Sequence, residues 1–412
     1  MPRVAALAML VVGIVTRTDA ADTLNCRLVG SCQLPYAVIG VVLSGNFAYV
    51  SGSYGSLFVL DVSDPTAPHE VGRFDTADYC NSVAVSGDLA YLTAYGSFDG
   101  FWIVDISDPQ EPYAVGRYSS PCGGDDIVLS SDFDYAYMPA DFNGLRVLDM
   151  SDPLEPYEVG HWDGLGKTRG VALSAKLAYV TDNDSGLQIL DVSNPKAPYE
   201  VGCCSLPGNA LSVAVAGDFA YVGGVDLFGK LHVIDVSNPQ KPHEVGWVGF
   251  RDLGAGVAVS GDFVYVLSPL GLYVIDVTDP QSLHLAGWYE GLEFHPVDVA
   301  VSGNLAYVTD YESGLKIIEF MGEGVEETPN AEARTTRSGA TVVRGVFMLS
   351  AADSRQQTVD GAELLDAAGR NVLELKPGAN DVRALAPGVY FVRGLKTEDG
   401  RPTAVRKVIV AR

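Results

Sequence analysis

One phrase recurs seven times along the chain and constrains it more than anything else. It runs VAVSG-D/N-LAYV, a short loop, GLxIVDVSDP, and then PxEVG. Its tyrosine returns at Tyr49, Tyr91, Tyr137, Tyr179, Tyr221, Tyr265 and Tyr307. The acid that opens DVSDP returns at Asp61, Asp105, Asp149, Asp191, Asp235 and Asp276, with Glu319 in the seventh place. Successive copies lie 41–46 residues apart. A period of about 40–45 residues containing several strand-like runs marks a propeller blade. The architecture is thereby constrained and the biochemistry is not, because propellers carry many unrelated functions.

Each unit divides into four short strands. In the second copy these are 82–85, 89–92, 101–106 and a run near 113–116. All are short, rich in β-branched or aromatic residues, and bounded by turn residues. The first turn is Ser86-Gly87-Asp88, repeated as Gly45-Asn46, Gly217-Asp218, Gly261-Asp262 and Gly303-Asn304. Glycine there tolerates the positive φ that tight hairpins demand. The second is an Asp-Pro turn, where proline fixes φ and the aspartate caps the backbone. It recurs from Asp64-Pro65 to Asp279-Pro280, with Asn194-Pro195 and Asn238-Pro239 as variants. The third copy departs from the pattern with DIVLSSDFDYAYM at 126–138 and a longer hairpin.

The seventh unit ends at Phe320 and lacks its own PxEVG strand. Arg27-Leu28-Val29-Gly30 resembles EVG and precedes the first unit. The N-terminal strand is therefore expected to supply the outer strand of the last blade, closing the ring and removing its edges. A propeller over 25–320 follows. Residues 321–340 are small, polar and aperiodic, as in a linker. From Thr341 to Arg412 a new pattern of strands and turns begins, read as a small immunoglobulin-like β-sandwich. The fold class is thus all-β, a seven-bladed propeller followed by a sandwich.

Charge supports two modules. Residues 341–412 carry 11 basic and 8 acidic side chains, against 16 and 44 in the rest of a chain of net charge −25. Such acidity disfavours nucleic acid, whose phosphates need a basic surface. Residues 1–20 have the pattern of a secretory signal: Arg3, an apolar run from Val4 to Val15 too short to span a membrane, and small residues Thr18 and Ala20 before a cleavage point. The alternative is a soluble protein with an apolar N-terminus. No other stretch is long enough for a transmembrane helix, so the mature chain is expected to have none. An exported chain permits disulfides among its six cysteines. Cys80 and Cys122, in equivalent connections of successive repeats, are the preferred pair, although sequence does not fix connectivity. The absence of CxxC argues against zinc.

GLQILDVSNP at 186–195 and GLYVIDVTDP at 271–280, with the paired VAVSG-D/N-LAYV phrase, resemble the LVIVD-repeat family of bacterial propellers. The resemblance covers about three quarters of the chain and implies fold rather than chemistry. LLDAAGRNVLEL at 364–375, LAPGVYFVR at 385–393 and RKVIV at 406–410 resemble the C-terminal sorting domain of the type IX secretion system. The usual Pro-Asn-Pro opening of that domain is replaced by Gly345-Val346-Phe347. The resemblance implies export by the type IX machinery across an outer membrane, and removal of the tail or its exchange for a surface anchor.

One end of every blade holds the monotonous Gly-Asp and Asp-Pro turns. The other holds the connections after EVG and the loops before GLxIVD, which differ from blade to blade and are the natural place for function. His161, Arg169, Arg251, Asp252, Glu293 and His295 are the ionisable candidates for a polar binding patch there, among Trp162, Trp247, Phe250, Trp288 and Tyr289. A solvated loop surface is the plainer alternative. Asp182 and Asp184 resemble the start of a calcium loop, but the bidentate glutamate is missing and a polar turn explains them equally. Asp125-Asp126 is a similar hint. No resident cofactor is expected, calcium apart. No sialidase box, P-loop, HExxH or GxSxG elbow occurs. The expected function is a secreted or cell-surface scaffold that binds a protein or glycan. The alternative is an exported hydrolase or lyase, and convergence of loop acids and histidines at the channel mouth would favour it.

Overall fold

The computed structural model describes residues 22–95, 100–120, 124–164, 166–225, 230–250, 256–292 and 295–322, together with the strands beyond 341. The chain divides into two compact units, Met1–Phe320 and Met321–Arg412.

The first unit is a seven-bladed propeller. Blade 1 consists of Val38–Ser44, Phe47–Gly52, Ser56–Asp61 and His69–Asp75, paired antiparallel in chain order. Blades 2 to 6 repeat this meander, each ending on its EVG strand. The first strands of successive blades touch one another around a closed ring, so they line the central channel. The second and third strands are buried on both faces by neighbouring blades, and their sequences accordingly read as continuous apolar runs such as Leu57-Phe58-Val59-Leu60. The outer strands alternate between exposed and covered residues.

The repeat residues are framework. All seven repeat tyrosines are buried, and Tyr49 packs into the core of the next blade beside Val83, Ala90 and Leu92. The EVG glycines are sites of close approach. A Cβ at Gly30, Gly72, Gly160, Gly202 or Gly246 would come within 2.0–2.2 Å of the carbonyl oxygen of Pro65, Pro109, Pro195, Pro239 or Pro280, the proline of the following blade's turn. No side chain fits there, so the outer strand of one blade carries the turn of the next.

The repeated acids hold their own turns. Asp61 Oδ1 accepts the Ser63 N–H at 2.9 Å and its hydroxyl at 2.6 Å. Asp105, Asp149, Asp191, Asp235 and Asp276 take the amide two residues on in the same way. The serine hydroxyl and amide hold Asp61, Asp105 and Asp235 below the usual carboxylate range. In blade 7 the acid is Glu319, which pairs with Arg27 at 2.7 Å and accepts from Asn304.

Blade 7 closes with the N-terminal strand. Cys26–Cys32 runs antiparallel to Gly314–Phe320, with Cys26 opposite Phe320 and Cys32 opposite Leu315. A strand absent from the sequence reading precedes it: Asp22–Leu24 pairs with the outer strand of blade 6, opposite Trp288–Glu290. Asn25, at φ 52°, turns the chain between the two pairings, and its amide donates to the Ala286 carbonyl. The Leu24 carbonyl lies 2.8 Å from where a Cβ of Gly287 would stand. It occupies the place that an Asp-Pro turn takes in the other blades.

The second unit contains a five-stranded sheet formed by Thr341–Val343, Arg406–Val410, Gly388–Arg393, Glu363–Asp366 and Asn371–Glu374. Thr341–Val343 runs parallel to Arg406–Val410, and the other pairings are antiparallel.

Candidate functional site

The two ends of the propeller differ as the repeats require. The hairpins after the first strands and the Asp-Pro turns share one face. The hairpins between second and third strands and the connections between blades share the other, at the channel mouth. There the backbone is clasped from blade to blade by hydroxyls. Ser51 Oγ accepts the Gly40 amide and donates to the Asn81 carbonyl of blade 2. Thr181 links Gly170 to the Leu211 carbonyl, and Thr309 links Asp298 to the Ile39 carbonyl. The rim is therefore a rigid support for whatever projects from it.

Two rings of side chains follow from this alignment. Gly40, Ser82, Asp126, Gly170, Ser212, Gly256 and Asp298 occupy one equivalent position in the seven blades. Asp126 bridges its neighbours, accepting from the Ser82 hydroxyl of blade 2 and the Val171 amide of blade 4. Asp298 accepts the Val41 and Val299 amides. Burial pushes both carboxyls upward against these hydrogen bonds, Asp298 to about 6.

One residue earlier stand Asn81, Asp125 and Arg169, in blades 2, 3 and 4. Asp125 accepts from Arg169 Nη1 at 2.7 Å and from Asn81 Nδ2 at 3.5 Å. Beside them Lys167 Nζ lies 3.0 Å from Asp141 Oδ2 and 5.8 Å from the Phe142 ring centre. These residues, with Tyr95, Gly124 and Asn143, line a cavity of about 330 Å³. Each cation in it is matched by a carboxylate. Asp141 Oδ1 and Arg169 Nε are shielded from solvent and make no hydrogen bond among the described residues. The cavity thus offers donors and acceptors with little net charge, suited to hydroxyl or amide groups of a ligand.

Of the candidates read from sequence, Arg169 stands in this cavity. His161 lies on the outer strand of blade 3, with Nδ1 3.2 Å from Glu158. His295 is exposed at the entry to blade 7, at φ 70°, and its carbonyl accepts the Tyr311 amide. The cavity includes neither histidine. Arg251, Asp252 and Glu293 lie outside the described residues. Asp182 is buried and accepts the amides of Gly166, Asp184 and Ser185, the bonding of a turn-holding carboxylate. Asp184 stands beside it in the same turn. Among the described residues no group of three acids, histidines or cysteines is arranged to hold a metal ion. Cys80 is buried, with its thiol pushed up to about 12 by burial, and its proposed partner Cys122 lies outside the described residues. Of the loop-face aromatics, Tyr289 is buried, whereas Trp247 is exposed on an outer strand with Lys230 over its ring.

The sequence reading missed Tyr36, Tyr54, Tyr79, Tyr95 and Phe142, all exposed on the mouth face. They occupy two kinds of loop, so no single column of the repeat contains them.

Among the described residues no helix is long and apolar enough to cross a membrane. A search of curated proteins returns no match. Solved propellers share the fold at low identity. The β-propeller domain of Myceliophteria thermophila Cps50 (Swd1) is 13% identical with a TM-score of 0.59, covering 72% of this chain and 99% of its own. U3-55K is 10% identical with a TM-score of 0.59, covering 71% and 98%. The computationally designed Ika8 protein is 11% identical with a TM-score of 0.52, covering 70% and 100%. At such identities the likeness concerns the fold alone. The family model of the LVIVD repeat matches seven times, over residues 37–76, 78–120, 125–163, 165–205, 207–249, 254–290 and 296–319. These seven matches follow the seven blades, and the chain belongs to the LVIVD repeat family.

Proposed function

We propose that this protein is a secreted or surface-displayed binding scaffold that recognises a protein or glycan on the channel-mouth face. The observation that carries the reading is the contrast between the faces. The turn face repeats one hydrogen-bonded Asx turn from blade to blade. The mouth face carries unlike loops, exposed aromatic rings and a cavity whose charges are internally paired. Paired charges on a rigid rim suit recognition more than proton transfer, which needs a group free to exchange its proton.

Export rests on two sequence features: the signal-like residues 1–20, and the tail motifs 364–375, 385–393 and 406–410 that resemble a type IX sorting domain. In this reading the tail directs the propeller across the outer membrane and is then removed or exchanged for an anchor.

The test has two arms. Surface protease accessibility of the intact protein should be lost when 341–412 are deleted, with the protein retained inside the outer membrane. In a binding screen of the full chain against extracellular proteins and glycans, Arg169→Ala, Arg251→Ala and His295→Ala should weaken binding. Tyr113→Ala, on the turn face, should not. Substrate turnover that dies with a single loop acid would overturn the binding reading.

A further inference from the structure

The exposed rings on the mouth face form a track. Tyr36, Tyr54, Tyr79, Tyr95 and Phe142 are 43%, 63%, 53%, 58% and 71% exposed. Tyr36 and Tyr79 come from connections between blades; the others come from the hairpins of blades 1, 2 and 3. Around a ring these loops alternate, and the side chains become neighbours. The Tyr36 and Tyr54 ring centres are 6.2 Å apart, as are those of Tyr54 and Tyr79. Tyr79 and Tyr95 exchange two backbone hydrogen bonds of 3.0 and 2.8 Å, which fix their spacing. Tyr95 and Phe142 both line the mouth cavity. The track therefore leads from blade 1 into a polar pocket between blades 2 and 4.

Large aromatic side chains left this exposed in a row mark a contact surface, since isolated exposed apolar residues need no explanation but a contiguous patch does. We propose that this track and pocket bind a neutral glycan chain, with a terminal sugar in the pocket and the following sugars across the tyrosine rings. The inference rests on the reading of the mouth face as a binding face and names its ligand class.

Three observations select that class. First, the pocket is of the size that takes a small unit, about 330 Å³, at the lower end of the ~300–1,000 Å³ range of small-ligand sites. A protein partner needs a broad patch of about 800 Å² a side, whereas the track is narrow and ends in a polar recess. Second, the charges in the pocket cancel in pairs, Arg169 with Asp125 and Lys167 with Asp141, in a protein of net charge −25. An acidic polysaccharide would meet no free cation there and would be repelled by the whole molecule. Third, a neutral sugar presents an apolar C–H face and a rim of hydroxyls. The faces match phenol rings, which are apolar bodies with polar tips. The hydroxyls match the planar carboxylate, guanidinium and amide groups of Asp125, Arg169, Asn81 and Asn143.

The test is calorimetric titration of the full chain with cellohexaose, laminarihexaose, mannohexaose and polygalacturonate. At least one neutral hexasaccharide should bind. Tyr54→Ala and Tyr79→Ala should each weaken that binding about tenfold, or ~1.4 kcal/mol. Tyr157→Ala, 55% exposed on the turn face, should leave it unchanged. All three residues are surface rings, and unfolding followed by tryptophan fluorescence should confirm intact folds. Three results overturn the glycan inference: no neutral chain binding at millimolar concentration, tighter binding of polygalacturonate, or undiminished affinity in both tyrosine variants. Should a purified protein bind instead and be lost with Arg169→Ala, the glycan falls and the binding face stands. A partner unaffected by any mouth-face substitution removes both.

Discussion

Asp298 makes the stability of the propeller depend on pH in a direction that can be worked out beforehand. Its carboxylate accepts two amides, yet burial dominates and lifts it from 3.8 to about 6, with the charge of Asp126 adding to the rise. A carboxyl raised on folding favours the folded state when protonated. Its contribution is fully present below the unfolded value and is lost as pH rises through the folded one. At neutral pH the ionised group costs roughly 3 kcal/mol, the shift of about two units at ~1.36 kcal/mol each. Between about pH 4.5 and 7.5 the change is roughly 2 kcal/mol, because part of the cost is already present at the lower pH. Asp126 is shifted the same way. The turn acids Asp61, Asp105, Asp149, Asp191 and Asp235 are shifted downward, so their effects fall below this window. The perturbation is Asp298→Ser, the residue that blades 2 and 5 carry at the equivalent position. The assay is guanidinium unfolding followed by tryptophan fluorescence. All four tryptophans, Trp102, Trp162, Trp247 and Trp288, lie in the propeller, so the signal reports that unit alone. The parent should lose stability from pH 4.5 to 7.5, and the variant should lose roughly 2 kcal/mol less. The variant also gives up the acceptors of Val41 and Val299, so the slope with pH is the readout rather than the absolute value. Identical slopes, or a parent that gains stability with rising pH, would refute the reasoning.

Gly72→Ala should destabilise the propeller by about 3 kcal/mol, because the new methyl meets the Pro109 carbonyl at 2.0 Å and neither backbone can yield alone; an unchanged denaturation midpoint would show that the blades slip more easily than this packing implies. Ala175 stands at φ 53° in the hairpin where blades 1, 2, 5, 6 and 7 have glycine, so Ala175→Gly should stabilise by ~1 kcal/mol, seen as a higher midpoint. Truncation after Phe320 should leave the tryptophan-monitored thermal transition nearly where it is in the full chain, since the strand that completes blade 7 is Cys26–Cys32 and lies within the truncated chain. Aggregation of the truncated chain would refute independence of the two units.

Repetition decided what was legible beforehand. The tyrosines, the Asp-Pro turns and the EVG glycines recur in step, and each recurrence removes one alternative assignment. The missing seventh EVG could be matched to Arg27-Leu28-Val29-Gly30 because that segment still resembles the repeat. Asp22–Leu24 resembles nothing in it. Its place is set by the unfilled space over Gly287, visible only in three dimensions. The mouth-face rings were illegible for a related reason. Tyr54 and Tyr95 belong to hairpins, Tyr36 and Tyr79 to connections, and they are brought together by the angular spacing of the blades. Asp298 was hidden in a column filled mostly by glycine and serine, and Asp126 stood out only as part of a metal hint, because chain position says nothing of burial.

The seam between Cys26–Cys32 and Gly314–Phe320 also governs how the molecule can be made. Arg27 and Glu319 are 292 positions apart, and joining ends across such a span costs about 5 kcal/mol of chain entropy before any contact repays it. The first strands of the propeller to be synthesised must therefore wait for nearly the last. Until Phe320 is available, Cys26–Cys32 has no partner and the unfinished blade 7 presents unpaired strands, the ordinary templates for aggregation. A polypeptide that stalls or is cut short of that point yields an open arc with two adhesive ends. The topology thus leaves the incomplete chain exposed to such association for as long as blade 7 is unfinished.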